Sequence, residues 1–248
     1  MKPFIRLRDL KIVSSLTELA NIPAGKTLIN TINAYSYNMA RKDEAFAAAL
    51  KGGDYLIPDG VAVVKACKFL NGKSKPSERI AGWDLFSMEM ERLGKSGGKV
   101  MFMGSSESVL SKIRQRCTEE FPSLFVDTYS PPFKPVFSED DDKAIINAIN
   151  ASNPDLLWIG MTAPKQEKWI FAHWDELDIH CHAGSIGAVF DFFAGTVQRA
   201  PLGWQKHGFE WLYRLLKEPR RMWRRYLIGN AEFLLNVTKE KFCQREQA

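Results

Sequence analysis

Asp59 stands in the tripeptide Pro58-Asp59-Gly60, directly after the short apolar run Tyr55–Ile57. A carboxylate fixed by proline on one side and exposed by glycine on the other can take a proton from a hydroxyl. The same tripeptide also makes an ordinary turn, with the Asp side chain bonded to nearby backbone. Thr31 and Asn33 close a neighbouring apolar stretch two residues apart, so their side chains share one strand face. There they either hold a sugar or cap the next helix. Arg79, just ahead of Gly82, is a phosphate partner or a solvated loop cation. Pro164-Lys165-Gln166-Glu167 reads as a helix opening with Pro164 at the first helical position. Such an N-terminus attracts anions, which would bring Gln166 to a diphosphate, while Glu167 also suits a plain dipole-complementing role. Asp191 either accepts from ribose hydroxyls or faces solvent from an apolar helix.

A second group of chemistry-bearing residues lies at the C-terminus. Residues 199–248 hold eleven Lys and Arg against five Asp and Glu, while the chain as a whole carries +5, so the remainder is close to neutral. Trp204, Phe209, Trp211, Tyr213, Trp223 and Tyr226 are interleaved with these cations. The run 210–225 reads as an apolar helical stripe flanked by Arg and Lys, suited to a membrane interface with cations on anionic lipid. It suits the clamping of a phosphate-rich ligand equally well. Arg214, Arg221 and Arg224 are the candidates for that grip. Arg214 and Arg221 are seven apart and share a face if one helix runs through Pro219.

The elements that must position these residues alternate in type. Strands are expected at 27–33, 55–57, 99–103, 124–129, 156–160 and 179–183. Helices are expected at 35–50, 61–70, 83–93, 107–121, 139–151 and 164–176. Apolar strands separated by helices predict an α/β fold: a largely parallel, Rossmann-like sheet with helices on both faces. In such sheets ligands bind beyond the carboxyl ends of the strands. Most of those ends carry Gly or small polar residues, among them Gly104-Ser105-Ser106 and Gly184-Ser185-Ile186-Gly187. That composition lets backbone approach a phosphate, although Gly after a strand also has purely steric causes. Arg199-Ala200-Pro201 marks the expected boundary between a 1–198 core and a 199–248 helical appendage. No run reaches the roughly 18 apolar residues of a spanning helix, and Met1–Leu10 lacks a signal peptide's apolar centre. A cytoplasmic protein is expected.

Thr31-Ile32-Asn33, Pro58-Asp59-Gly60, Arg79 with Gly82-Trp83-Asp84-Leu85, and Pro164-Lys165-Gln166-Glu167 follow one another along the chain. Phe190-Asp191 with Ala194-Gly195, Arg199-Ala200-Pro201, and Glu210-Trp211-Leu212-Tyr213-Arg214-Leu215 with Glu218-Pro219 and Arg221 complete the series. In this order, over nearly the whole chain from Thr31 to about Arg225, they resemble the WecG/TagA/CpsF family of bacterial glycosyltransferases. Thr162 and Ala163 stand where many relatives have Gly and Ser, and Ala188 where Gly is common; these departures bear on the donor pocket.

The resemblance implies transfer of a sugar from a UDP-sugar to a sugar already carried on polyprenyl diphosphate, in building cell-envelope or secreted polysaccharide. Donors within the family include N-acetylmannosamine, its uronic acid and glucose. The implied reaction is inverting, with no metal or other cofactor. It makes Asp59 the base and Thr31, Asn33, Arg79, Gln166, Arg214, Arg221 and Arg224 substrate-binding residues. Gly104, Ser105, Lys165, Glu167 and Asp191 fall to the nucleotide. The appendage would seat the enzyme on an anionic membrane surface, peripherally on the inner face of the cell membrane, and close over the site. Its apolar surface also invites a homo-oligomer.

Other patterns point elsewhere. Asp140-Asp141-Asp142 looks like a metal-binding cluster, but favourable charge at a helix start explains it better. His180, Cys181 and His182 have poor geometry for three ligands, since alternate residues oppose one another on a strand. Gly94-Lys95-Ser96 ends a helix and lacks the glycine pattern of a P-loop. Cys67, Cys117, Cys181 and Cys243 have no paired spacing and read as reduced core thiols. A nucleotide-dependent oxidoreductase would need the G-x-G-x-x-G fingerprint, which follows none of the strands. A non-enzymatic binder of anionic lipid or nucleic acid is the remaining alternative; nucleic acid is not expected, because the near-neutral body offers no basic channel.

Overall fold

The computed structural model describes residues 3–242. Six strands form one all-parallel sheet: β1 (Thr27–Ile32), β2 (Tyr55–Pro58), β3 (Gly98–Gly104), β4 (Leu124–Tyr129), β5 (Leu156–Gly160) and β6 (His182–Ser185). Their order across the sheet is β2-β1-β6-β5-β3-β4, with Thr31 beside Ile57 and Ile29 beside Gly184 in register. α1 (Leu16–Ala20) precedes the first strand, and the helices between the strands are α2 (Ala34–Ala40), α3 (Glu44–Gly52), α4 (Val61–Leu70), α5 (Gly82–Ser96), α6 (Glu107–Glu120), α7 (Glu139–Ser152) and α8 (Lys165–His173). After β6 come α9 (Val189–Phe193), α10 (Leu202–Lys206), α11 (Glu210–Lys217), α12 (Pro219–Trp223) and α13 (Gly229–Phe242), with a π-helical turn at Arg224–Ile228.

Strand alternation divides the core. Ile29, Ile57, Val100, Phe102, Leu156 and Trp158 pack with Leu85, Phe86 and Met90 of α5, Ile113 of α6, and Phe190 and Phe193 of α9. The neighbouring strand positions point the other way. Met101, Met103, Leu157 and Ile159 meet Ile145 and Ile149 of α7 and Trp169 and Ile170 of α8. Ile32 and Leu56 meet Tyr37, Phe46 and Leu50 of α2 and α3, and also Phe233 and Val237 of α13. Helices therefore cover both faces, as the continuous apolar strands require.

Four expectations are corrected. The helix over 35–50 is two, because the Asp43 side chain accepts from the Phe46 N–H and starts α3 afresh. The last strand begins at His182, not Ile179: pairing with β1 starts at Thr27 beside His182, and Ile179 is buried in the core. Pro164 is the residue before α8, not its first helical position. The appendage helix does not run through Pro219. It breaks at Glu218 (φ −129°, ψ 61°), since proline cannot donate to the preceding turn.

Candidate active site

The carboxyl ends of β1 and β2 place Asp59. Its N–H donates to Ile32 O at 2.9 Å and to Ile57 O at 3.1 Å, so the residue is tied to both strand ends. Gly60 follows at φ +150°, a backbone open only to glycine, and a side chain there would sit 3.9 Å from Asn33. The Ile80 N–H donates to Pro58 O at 3.0 Å, which brings the Arg79 segment alongside. Burial pushes the Asp59 carboxyl up to about 6. Arg79 opposes that rise, Glu210 and Asp84 add to it, and Arg225 again opposes it. A lone carboxylate between cations and anions is thus held close to neutral pH.

Arg79, whose charge acts on Asp59, is held in a clasp. Its Nη1 lies 3.0 Å from Glu210 Oε2, and Arg199 Nε is 3.4 Å from Glu210 Oε1. The Arg199 guanidinium lies over the Trp83 ring at 5.2 Å. A cleft of about 340 Å³ opens beside it, lined by Val61, Arg79, Leu202 and Gln205. Glu210 belongs to α11, so the appendage closes one wall of the site. Asp84 is engaged locally, accepting from the Ala81 N–H at 2.7 Å to cap α5.

Thr31, the last residue but one of β1, is half-buried. Asn33 caps α2, its Oδ1 accepting from the Tyr35 and Ser36 N–H groups at 3.0 Å each. Gln166 is buried: its Oε1 accepts from the Met161 N–H at 3.1 Å, and its Nε2 donates to Glu167 Oε1 at 2.9 Å. Desolvation raises Glu167 to about 7, and its second oxygen has no partner. The Lys165 ammonium donates to Lys134 O and lies over the Phe137 ring at 3.3 Å, with desolvation holding its pKa down. Gly104 (φ +120°) and Ser105 (φ +60°) turn the chain after β3. A side chain at Gly104 would strike the Gly160 carbonyl oxygen at 2.5 Å. Asp191 accepts from Thr196 Oγ1 at 3.2 Å.

The structure separates these residues by strand. Asp59, Asn33 and Arg79 gather at β2 and β1, Gln166 and Glu167 lie after β5, and Ser105 follows β3. At about 4.8 Å per strand, β2 and β3 stand roughly 19 Å apart in the sheet order. The appendage arginines also separate. Arg214 lies over Phe192 at 5.6 Å with its Nε buried and unpartnered. Arg221 is exposed and pairs with Glu218 at 2.7 Å, and Arg224 is exposed over Trp223. With the helix broken at Glu218, Arg214 and Arg221 share no continuous face. Sequence reading missed Arg199, Glu210 and Arg225 as neighbours of this site. The motifs Arg199-Ala200-Pro201 and Glu210-Trp211 were visible, but nothing in their spacing joins them to Asp59.

The remaining patterns have structural partners. Asp141 forms a capping box with Ser138 and pairs with Lys134, and Asp142 accepts from Trp169 Nε1 at 2.8 Å. His182 Nδ1 lies 3.1 Å from Glu89 Oε1 and Nε2 lies 2.9 Å from Pro23 O; the bond to Glu89 raises its pKa. Cys67, Cys117 and Cys181 are buried thiols that desolvation pushes up to about 12. Cys243 lies outside the described residues.

Comparison with known proteins shows the family. Residues 4–247 match the model of the glycosyl transferase WecG/TagA/CpsF family. A relative from Bacillus spizizenii (strain ATCC 23059 / NRRL B-14472 / W23) is an N-acetylglucosaminyldiphosphoundecaprenol N-acetyl-beta-D-mannosaminyltransferase. It is 33% identical over 188 residues, covering 76% of this chain and 70% of that protein. A protein of the same name from Bacillus subtilis (strain 168) is 28% identical over 214 residues, 86% of this chain and 80% of its own length. A parallel α/β sheet with a half-buried carboxylate at its carboxyl end, matched by the family model over almost its full length, identifies this chain as a glycosyltransferase of the WecG/TagA/CpsF family.

Proposed function

We propose that this enzyme moves an N-acetylmannosaminyl group from a UDP-activated donor onto N-acetylglucosamine carried by undecaprenyl diphosphate, with inversion. The observation that carries this reading is Asp59, tied by its N–H to the ends of β1 and β2, desolvated, and within the electrostatic reach of Arg79 and Arg225. The relatives' names supply the sugar pair. Asp59 takes the proton of the acceptor hydroxyl, and that oxygen attacks the anomeric carbon from the face opposite the diphosphate. The bond from that carbon to the diphosphate oxygen breaks, UDP leaves with the electron pair, and Asp59 passes its proton to solvent. A base with a pKa near the working pH balances proton affinity against the fraction ionised.

Guanidinium groups are assigned the task of stabilising the leaving diphosphate, with no divalent ion required. Arg79 and Arg214 serve the substrates, with Thr31 and Asn33 near the reacting sugars. Gln166, Glu167, Lys165, Gly104, Ser105 and Asp191 lie along the path of the nucleotide. The 199–248 segment is read as the membrane-seating part, on the inner face of the cell membrane. Arg221 and Arg224 are exposed there, available to lipid phosphate or to the acceptor's diphosphate.

The test is UDP release from a panel of UDP-sugars, with and without short-chain lipid-diphosphate-linked N-acetylglucosamine. Acceptor-dependent release from UDP-N-acetylmannosamine, persisting in chelator, is expected. Acceptor-dependent release only from the uronic acid or glucose donor would reassign the sugar; no release from any donor would refute the reading.

A further inference from the structure

Among the described residues, two arginines of the C-terminal segment, Arg214 and Arg225, are half-buried with an Nε that has no partner, and of the two Arg225 is the one whose charge acts on Asp59. Arg79 and Arg199 share the Glu210 carboxylate, Arg221 pairs with Glu218, and Arg224 is exposed over Trp223. Arg225 is half-buried. Among the described residues its guanidinium makes no hydrogen bond and no ion pair, and its Nε is buried without a partner. Its position comes from the π-helical turn Arg224–Ile228. The wider turn rotates the side chains that follow relative to an α-helical continuation, a device found repeatedly at functional sites.

Two rings hold the group. The guanidinium lies over Tyr35 at 4.7 Å and over Tyr226 at 5.7 Å. The Tyr35 backbone is fixed beside the strand end, because its N–H donates to Asn33 Oδ1. Stacking orients a guanidinium plane and leaves its N–H edge free to donate. That edge belongs to the strand-end region containing Asn33 and Asp59, whose carboxyl feels the Arg225 charge. A stacked guanidinium with a buried Nε and no paired N–H calls for an anion with at least two oxygens.

We infer that Arg225 is a substrate-binding residue that grips a diphosphate oxygen at the Asp59 end of the sheet. This rests on the proposed function and deepens it, since Arg225 was not among the appendage arginines that the sequence singled out. The diphosphate belongs either to the donor nucleotide-sugar or to the lipid-linked acceptor, and the two arms of the test separate these.

With the full chain, the donor KM is measured at saturating short-chain acceptor, and the acceptor KM at saturating donor. Arg225→Gln is expected to raise one KM by about 10- to 100-fold, the range of a charge-assisted hydrogen bond, and to leave the other within twofold. The substrate whose KM rises owns the phosphate. The acid limb of the rate profile should also move to higher pH, because the cation favours the Asp59 carboxylate against Asp84 and Glu210 and works alongside Arg79. Both KM values within twofold of wild type, in a variant with the wild-type melting temperature, overturn the inference. Should Arg225→Gln fail to fold, Arg225→Lys is read instead. It keeps the charge but cannot bond two oxygens in the plane, so an unchanged KM there overturns the inference as well. An inactive wild type would refute the proposed function itself, whereas an active wild type with an indifferent Arg225 refutes only this assignment.

Discussion

At the scale of single residues, the site holds a carboxylate whose charge state is set by its surroundings. Desolvation raises Asp59 from 3.8 to about 6, so turnover that needs the carboxylate should fall as pH drops through about 6. Asp59→Asn is expected to lower kcat by roughly 10²- to 10⁴-fold, the usual worth of a positioned base, with UDP binding by calorimetry nearly unchanged. Retained turnover would remove Asp59 from the reaction. Stability should move the opposite way. The folded protein holds this proton more tightly than the unfolded chain does, so Asp59 costs stability as pH rises from about 4 to about 6 and beyond. The Asn variant should therefore melt at or above the wild-type temperature at pH 7. The two halves of the prediction separate a functional carboxylate from a turn-former, whose loss would lower the melting temperature.

At the scale of elements, the C-terminal helix α13 is part of the body. Phe233 and Val237 sit in the same core as Tyr37 and Leu50, and the Phe233 ring meets Tyr37 edge-on at 5.4 Å. Glu240, buried on α13, accepts from the Leu7 N–H at 3.1 Å, the Arg8 N–H at 2.8 Å and the Tyr37 hydroxyl at 2.5 Å. One carboxylate thus joins the N-terminal turn, α2 and the last helix. Phe233→Ala should cost about 3–5 kcal/mol as a large-to-small core change. Glu240→Ala strands two buried donors and one part-buried donor and should cost about 3 kcal/mol or more. Both are read from urea unfolding, and losses under 1 kcal/mol would mean that α13 is only loosely docked. The same packing predicts that removal of residues 199–248 damages the body, so truncation cannot cleanly separate membrane binding from folding.

At the scale of the whole molecule, the C-terminal segment has two surfaces. One reaches the site through Glu210 and Arg225. The other exposes Leu216, Trp223, Leu227, Ile228, Leu234 and Leu235, and Trp223, Leu227, Ile228 and Leu235 line a shallow apolar depression. Among the described residues, no helix is long and apolar enough to cross a membrane. This apolar face carries Arg224 over its Trp223, with Arg220 exposed in the same segment, and suits a lipid surface, where each cation adds about 1 kcal/mol on anionic lipid. Replacing both with Ser should weaken partition onto phosphatidylglycerol vesicles by roughly 30-fold at that worth, and salt should weaken the wild type in the same direction. Partition indifferent to both charge and salt would leave the face to protein contacts.

Much of the layout was legible in the chain itself. The extents of α4, β4 and β5 follow from apolar runs bounded by turn residues, and Asp59, Arg79 and Gln166 stand out because their motifs lie next to strand ends. Local spacing carries such information, since period-2 and period-3.6 patterns are properties of neighbouring residues. It could not show that α3 restarts at Asp43, where one side-chain cap outweighs a continuous apolar pattern. Nor could it show which appendage arginine faces Asp59, because a break at Glu218 and a π-turn at Arg224 reset the rotation of everything after them. Glu210, Arg199 and Arg225 join Asp59 across more than a hundred residues of sequence. Only the packing of α11 and α13 against a body already built on the sheet decides that meeting, because burial and charge pairing act between surfaces that the chain order does not make adjacent.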